Sequence, residues 1–326
     1  MTPAEGCLEG TSPVETARET FRADALAGLG LTPKRLSPKY FYDRAGSELF
    51  DAICELPEYY VTRAETSIMR DRVKEVVASW GPSVRVVEPG AGSGTKTRLV
   101  LEALGPARCV EYVPVDISRE HLGAAAAQLR ADYPWLRITP LAADFAVDMP
   151  VPASDDGARN IIYFPGSTIG NFDPPEAERL LARFRRAAGV RGTVVLGIDL
   201  KKDPALLHAA YNDAQGVTGA FNRNVLARMN RELSANFDVE AFAHYAFYEP
   251  THGRIEMHLV SLRRQEVTVS GRRFRFAEGE SIRTECSYKY DLPGAEGLAR
   301  RAGLHLVDAW LDEQRRFAVL ELRPNS

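Results

Sequence analysis

Between about residue 65 and residue 200 the spacing of apolar positions switches repeatedly between a helical and an extended period, with glycine, proline or an acidic residue near most switches. TSIMRDRVKEVVASW places Ile68, Met69, Val73, Val76 and Val77 on one helical face, behind a cap at Thr66 or Ser67. VRVVEPGAGSG reads as a short apolar strand opening into a glycine loop, and TKTRLVLEAL as the helix that follows. CVEYVPVDIS is a strand ending in Asp116, and REHLGAAAAQLRADYP is another helix. LRITPLAADF predicts a third strand ending at Asp144, NIIYFPGSTIGNF a fourth, PPEAERLLARFRRAAG a helix with proline in its first turn, and GTVVLGIDL a fifth strand. So many alternations predict an α/β fold with a parallel, doubly wound sheet.

After Asp199 the alternation stops. DPALLHAAYNDAQGVTGAFNRNVLARMNRELSANFD is mostly helical in pattern, and RIEMHLVSLRRQEVTVSGRRFRFAEGESIRTECSYKY alternates around a turn at Ser270 and Gly271, as antiparallel hairpins do. AEGLARRAGLHLVDAWLDEQRRFAVLELRP supplies a helix and two strands that can complete the sheet with an antiparallel edge. Ahead of the alternation, SPKYFYDRAGSELFDAICELPEYYVTRAE crowds Tyr40, Phe41, Tyr42, Tyr59 and Tyr60 around short helical pieces. The expected organisation is a flexible leader over 1–12, a smaller α+β domain from 13–64 and 201–287, and the doubly wound domain from 65–200 and 288–326.

Composition narrows the partners. With 41 basic and 44 acidic residues and a net charge of −3, the chain has no global field to attract nucleic acid. The start has neither the basic nor the apolar region of a signal peptide, and no apolar run approaches the roughly 20 residues that span a bilayer, so a cytoplasmic protein without membrane contact is expected. Four cysteines, Cys7, Cys54, Cys109 and Cys286, are far apart, and no Cys/His spacing suits zinc. No metal is expected.

The chemistry concentrates at the strand ends. Glu88, Gly90, Gly92 and Gly94 lie between a strand and a helix, where glycine lets the backbone approach a ligand closely. Asp116 closes the next strand, placed to accept both hydroxyls of an adenosine ribose. A phosphate-cradling loop is excluded because Thr95 separates Gly94 from Lys96. A nicotinamide dehydrogenase would share the loop and the acid. Asp144 followed by Phe145 tilts the choice, since an acid there can hold an exocyclic adenine amine and an aromatic can cover the ring. Glu88, read as an acidic loop residue, suits a sulfonium cofactor bearing a free amino group better than a pyrophosphate.

FYDRAGSELFDAICELPEYYVTRAE, VEPGAGSGTKT, VPVDIS, FPGSTIGNF, AYNDAQGVTGAFNRNVLARMNREL, RIEMHLVS and GESIRTECSYKY together resemble the bacterial and fungal histidine Nα-methyltransferases of ergothioneine biosynthesis, over nearly the whole chain. The resemblance implies a class I, Rossmann-like methyltransferase domain with a separate substrate-binding domain. It implies S-adenosylmethionine (SAM) as donor, S-adenosylhomocysteine as product, and free L-histidine as the acceptor, trimethylated to hercynine; a monomer is expected. Carried over residue by residue, it assigns the cofactor loop to Gly90 and Lys96, the ribose to Asp116 and the adenine to Asp144 and Phe145, and the loop reading adds Glu88 and Gly92 to the cofactor set. Gly166 and Asn171 then hold the acceptor's amine and carboxylate, Tyr211 its carboxylate, and Glu285 and Ser287 its imidazole. Tyr42 and Tyr59 lie near the amine and ring, with Met257 as a pocket wall, and Tyr42, Gly166 and Asn171 form the catalytic set. Pro89 departs from the leucine common in that family. Taken singly, Asn171 also reads as a cap for the helix near Pro174, Tyr211 as a core residue one turn from Leu207, and Glu285 as an exposed strand charge. Two other functions stay open at this point: a betaine-forming methyltransferase for another aromatic or modified amino acid, and a SAM-binding regulator without catalysis.

Overall fold

The computed structural model describes residues 13–92, 94–117, 119–151 and 157–325, and the leader expected over 1–12 lies outside them. The chain forms two compact units. The larger comprises Cys54–Tyr211, Tyr248–Ile255 and Cys286–Ser326; the smaller comprises the chain as far as Ile53, with Asn212–Phe247 and Glu256–Glu285. These divisions fall at 53/54 and 211/212, where the sequence pattern suggests 64/65 and 200/201. One helix accounts for the first difference. Tyr60–Ala78 is continuous and buries Tyr60, Val61, Ala64, Glu65, Ile68 and Met69, so it cannot be cut at residue 65. Thr66 and Ser67 are therefore interior helix residues rather than caps, and Tyr59 holds the N-cap position. Glu65 sits at a core-facing position and hides the apolar period that runs back to Val61.

In the larger unit an eight-stranded sheet forms among the described residues. Val84–Pro89 pairs in parallel with Cys109–Asp116 on one side and Arg159–Phe164 on the other, and Arg159–Phe164 pairs in parallel with Thr193–Asp199. Phe317–Pro324 then runs antiparallel to Thr193–Asp199 and Leu304–Leu311 antiparallel to it, giving the expected antiparallel edge. The parallel strands and the antiparallel edge together make the doubly wound α/β sheet that the sequence pattern predicts. The third strand is shorter than predicted: Arg137–Ile138 and Leu141–Ala142 pair separately with Cys109–Asp116. Pro140 lies between them and has no N–H to give the ladder, so the strand breaks and Asp144 falls in the turn beyond it.

The sheet's strands are apolar on both faces because helices cover both. Val87, Val113, Val115, Ile162, Phe164, Leu196 and Ile198 pack with Leu180, Leu181 and Phe184 of the helix Pro174–Ala188 and with Leu298 of Leu292–Arg301. Helix Pro174–Ala188 starts with a capping box in which Asp173 and Glu176 bond reciprocally to backbone N–H groups. Asn171 is therefore not its cap.

The smaller unit contains helices Pro13–Leu29 and Val217–Glu232 and a hairpin, Gln265–Val269 with Arg272–Phe276, that turns through Ser270 and Gly271 with φ of 45° and 81°. Lys34–Arg35, Ser281–Tyr288, Arg254–Ser261 and Phe242–Glu249 form a four-stranded sheet in that order. The chain passes into the larger unit between Glu285 and Cys286, inside the strand Ser281–Tyr288.

Candidate active site

The carboxyl end of Val84–Pro89 leads into a loop that only glycine can build. Gly90, Gly92 and Gly94 have φ of 69°, 47° and 67°, all left-handed. The Gly90 N–H is fixed to the Val115 carbonyl at 2.7 Å, and a Cβ on Gly90 would stand 3.5 Å from the Phe145 ring. Phe145 is itself held edge-on by Phe164 and Phe172 at centroid distances of 5.6 and 6.4 Å. Asp116 ends its strand opposite Ala142, and its carbonyl accepts the Ala143 N–H at 3.0 Å, which fixes the backbone leading to Asp144 beside it. Asp144 closes a short turn by accepting the Ala146 N–H at 3.0 Å. Gly90, Asp116, Asp144 and Phe145 are thus gathered at one strand edge.

Glu88 differs from its expected placement. It is a strand residue, 2% exposed, whose carboxyl takes hydrogen bonds from the hydroxyls of Thr97 and Tyr112. Burial pushes its carboxyl up to about 7, against the opposing pull of those two bonds and of Lys96. Its role in the geometry is to tie the first turn of helix Thr95–Arg108 to two strands beneath the glycine loop.

A second loop, Pro165–Phe172, follows the strand Arg159–Phe164 and is clamped at several points. The Gly166 N–H donates to both oxygens of Glu65, at 3.1 and 2.9 Å, and the Lys96 ammonium pairs with the same carboxylate. Glu65 is buried on the helix Tyr60–Ala78 and backs directly onto Gly197, where a side chain would collide with it. Ser167 adopts φ of 59°, an uncommon conformation for a residue with a side chain, and its hydroxyl accepts the Asp199 N–H at 2.9 Å. Gly170 packs against the next segment so closely that a Cβ would lie 2.7 Å from the Tyr288 carbonyl oxygen and 3.6 Å from the Ser287 hydroxyl. Asn171 ends this turn, Thr168–Asn171.

Beyond the turn lies a buried charged cluster. The Lys289 ammonium lies 2.9 Å from Asp199, 2.8 Å from the Ser287 hydroxyl and 3.1 Å from the Tyr211 hydroxyl, and Tyr211 and Ser287 are 2.8 Å apart. Asp199 also takes both Tyr60, at 2.9 Å, and Lys202. Burial opposes ionisation of Asp199, but Lys289 and Lys202 overcome it and hold the carboxyl below its usual range. Burial likewise works against the Lys289 charge, and Asp199 reverses that, raising its pKa. Lys202 is pushed down to about 8 by burial despite Asp199. Tyr59 meets Tyr211 edge-on at 6.4 Å.

The larger unit therefore brings together Tyr59, Gly166, Asn171, Tyr211 and Ser287, linked through Glu65 to Lys96. Tyr42, Met257 and Glu285 belong to the smaller unit. There Tyr42 is 37% exposed and packs edge-on against Phe50 and Phe221, Met257 is buried with its carbonyl accepting the Thr284 hydroxyl at 3.1 Å, and Glu285 is buried rather than an exposed strand charge. Sequence reasoning passed over Glu65, Thr97, Tyr112, Asp199 and Lys289. Two left a signal: Glu65 is a charge on the apolar face of a helix, and Lys289 continues the every-second-residue spacing of Glu285 and Ser287. Among the described residues no group of His, Cys, Asp and Glu could hold a metal, and no helix is long and apolar enough to cross a membrane.

Over residues 21–324 the sequence matches the model of a family described as histidine-specific methyltransferase, SAM-dependent. It is similar to the histidine N-alpha-methyltransferase of Mycolicibacterium smegmatis, at 40% identity over 309 residues that cover 94% of this chain and 95% of that one. The histidine N-alpha-methyltransferase of Mycobacterium tuberculosis is 42% identical over 307 residues, 92% of this chain and 93% of that one. Ergothioneine biosynthesis protein 1 of Neurospora crassa is 29% identical over 296 residues, which make up 85% of this chain and 32% of that protein.

Proposed function

The chain belongs to the family of histidine-specific, SAM-dependent methyltransferases, and from that membership we infer that it transfers methyl groups from SAM to the α-amino group of L-histidine, giving trimethylhistidine for ergothioneine biosynthesis. The structural observation that supports this reading most is the loop Pro165–Phe172. Through Glu65 it is tied to Lys96 on the side of the glycine loop, and through Gly170 it rests on Ser287 and Tyr288 on the side of Tyr211 and Lys289. A donor end and an acceptor end are thereby held in fixed register.

The donor end fits SAM by its own chemistry. Gly90 lies against Phe145, where a Cβ would stand 3.5 Å from the ring, Asp116 ends the neighbouring strand opposite Ala142, and Asp144 lies in the turn just beyond Ala142. Asp116 would take the ribose hydroxyls, Asp144 the adenine amine, and Phe145 the ring face, with Gly90, Gly92 and Lys96 along the rest of the molecule. Glu88 serves this end indirectly, by fixing the loop. Bound SAM supplies an electrophilic methyl carbon.

The residues of the chain have two tasks, alignment and proton removal. An α-amino group with a pKa near 8 or above must lose a proton before its lone pair can attack. The Gly166 N–H is committed to Glu65, so Gly166 offers its carbonyl, and with the Asn171 amide oxygen it accepts amine hydrogens and aims the lone pair. Such positioning can lower a barrier by several kcal/mol without a strong base. Tyr211 takes the carboxylate and Ser287 the imidazole. The assignments of Tyr42 to proton removal, Tyr59 and Met257 to the pocket walls, and Glu285 to the imidazole rest on the family resemblance. The test is to incubate the protein with SAM and L-histidine and locate the new methyl groups by NMR. Correlations from the methyl protons to Cα are expected, and methylation confined to the imidazole nitrogens would overturn the assignment of the amine.

A further inference from the structure

Asn171 is the side chain of the loop Pro165–Phe172 that meets the reacting amine in the proposed function, and it can aim a lone pair only if its own oxygen is held in place. Among the described residues no hydrogen bond fixes the Asn171 side-chain amide. Its direction is therefore set by the backbone on either side of it.

Tyr288 holds both sides. Before Asn171, Gly170 lies so close to the Tyr288 backbone that a Cβ would stand 2.7 Å from its carbonyl oxygen and 3.2 Å from its nitrogen. After Asn171, two residues on, the Asp173 carboxylate accepts the Tyr288 hydroxyl at 2.9 Å. Arg254 completes this second contact: its guanidinium donates to the Tyr288 oxygen, lies 3.5 Å from Asp173 and sits 5.1 Å from the centroid of the Tyr288 ring. The phenol thus gives its single hydrogen to Asp173 and takes one from Arg254. Arg254 and Tyr288 are both buried, at 8% and 6% exposure, so these bonds are sheltered from competing water. Asp173 is anchored in turn, because it is the N-cap of helix Pro174–Ala188 and its N–H donates to Glu176 at 3.2 Å.

We propose that Tyr288 is a positioning residue for methyl transfer, holding the chain on both sides of Asn171 and thereby fixing where the Asn171 amide oxygen meets the acceptor's amine. This rests on the reading in which Asn171 aligns that amine, and it adds a residue that acts through Asn171.

The experiment takes Tyr288→Phe, Asp173→Ser and Asp173→Asn, alone and combined with Asn171→Ala, and reads kcat and KM for L-histidine, with S-adenosylhomocysteine affinity by calorimetry. Phenylalanine removes only the hydroxyl. Serine suits an N-cap as well as aspartate does, but its hydroxyl ends one bond short of the carboxylate oxygens, so it cuts the same contact from the other side. Tyr288→Phe and Asp173→Ser should each lower kcat about tenfold, with the KM for histidine and the S-adenosylhomocysteine affinity within about threefold of wild type. Asp173→Asn keeps an oxygen that accepts from Tyr288 and should hold kcat within about threefold. Residues that act through one another do not add, so either loss should shrink to less than about threefold in the Asn171→Ala background. A kcat within about twofold of wild type in Tyr288→Phe overturns the proposal, as does a full tenfold further loss in the double variants, because Tyr288 then acts apart from Asn171. If Tyr288→Phe does not fold, Asp173→Ser decides by the same two readings. A wild type that binds S-adenosylhomocysteine but leaves histidine unmethylated, or an Asn171→Ala variant with full turnover, contradicts the underlying reading of the site instead.

Discussion

Glu88 and Asp199 sit at the same edge of the larger unit's sheet, one residue short of the end of Val84–Pro89 and at the end of the parallel strand Thr193–Asp199. Both are buried, at 2% and 0% exposure, and burial is the largest influence on each. Yet Glu88 is pushed up to about 7 while Asp199 is held below its usual range. The difference lies in the partners. Glu88 receives two neutral hydroxyls, which offset only part of the cost of removing a carboxylate from water, whereas Asp199 receives two ammonium groups and a phenol. Around Glu88 the glycine-loop side, the proposed donor end, is therefore organised by neutral hydrogen bonds. Around Asp199 the side of Tyr211 and Lys289, the proposed acceptor end, is organised by buried charge.

Asp199→Asn should produce the largest effect, because it leaves Lys289 and Lys202 buried without a counter-charge, a loss of about 3 to 5 kcal/mol. Thermal unfolding at neutral pH measures it, and a loss under about 1 kcal/mol would break the contrast between the two ends. Asn171→Ala should lower turnover on histidine by about 100-fold while SAM affinity stays within about twofold, since the lost contacts align the acceptor. Steady-state rates paired with calorimetry would separate the two, and a parallel loss of cofactor binding would place Asn171 at the donor end instead.

The contrast also has a pH signature. Glu88 has a folded pKa above its unfolded value, so between the two the folded state binds more protons and stability falls as pH rises. From pH 5 to pH 7 that contribution amounts to about 2 kcal/mol, and it should be absent in Glu88→Gln. Asp199 has the opposite sign: its stabilisation is present above the unfolded carboxyl pKa and is lost as pH falls through the lower folded value. Denaturant titrations of wild type and Glu88→Gln at the two pH values test this, and parallel pH slopes would contradict it. The smallest expected effect is at Asp116, where replacement by Ala should weaken SAM binding by at least about tenfold without raising the KM for histidine.

How much of this was legible depended on the range of the interactions. The glycine loop, the acid ending the second strand and the antiparallel edge follow from local periods and turn residues, and the structure carries each of them. The errors were local as well: Pro140 broke a strand whose apolar pattern continued, and Glu65 masked the first turns of a helix. The charged cluster was out of reach because Asp199 and Lys289 are far apart in sequence, and only the fold puts them 2.9 Å apart. The placement of Glu88 was missed for a related reason, since its hydroxyl partners come from a helix and from a neighbouring strand.

The most direct test of the account is a competition in which the wild-type protein, with excess SAM, is given equimolar histidine, tyrosine, tryptophan, phenylalanine and glycine, and the products are followed over time by mass spectrometry. The account predicts that histidine is consumed first and accumulates as the trimethylated species while the others stay unmodified. Preferential methylation of tyrosine or tryptophan, with histidine left intact, would contradict it.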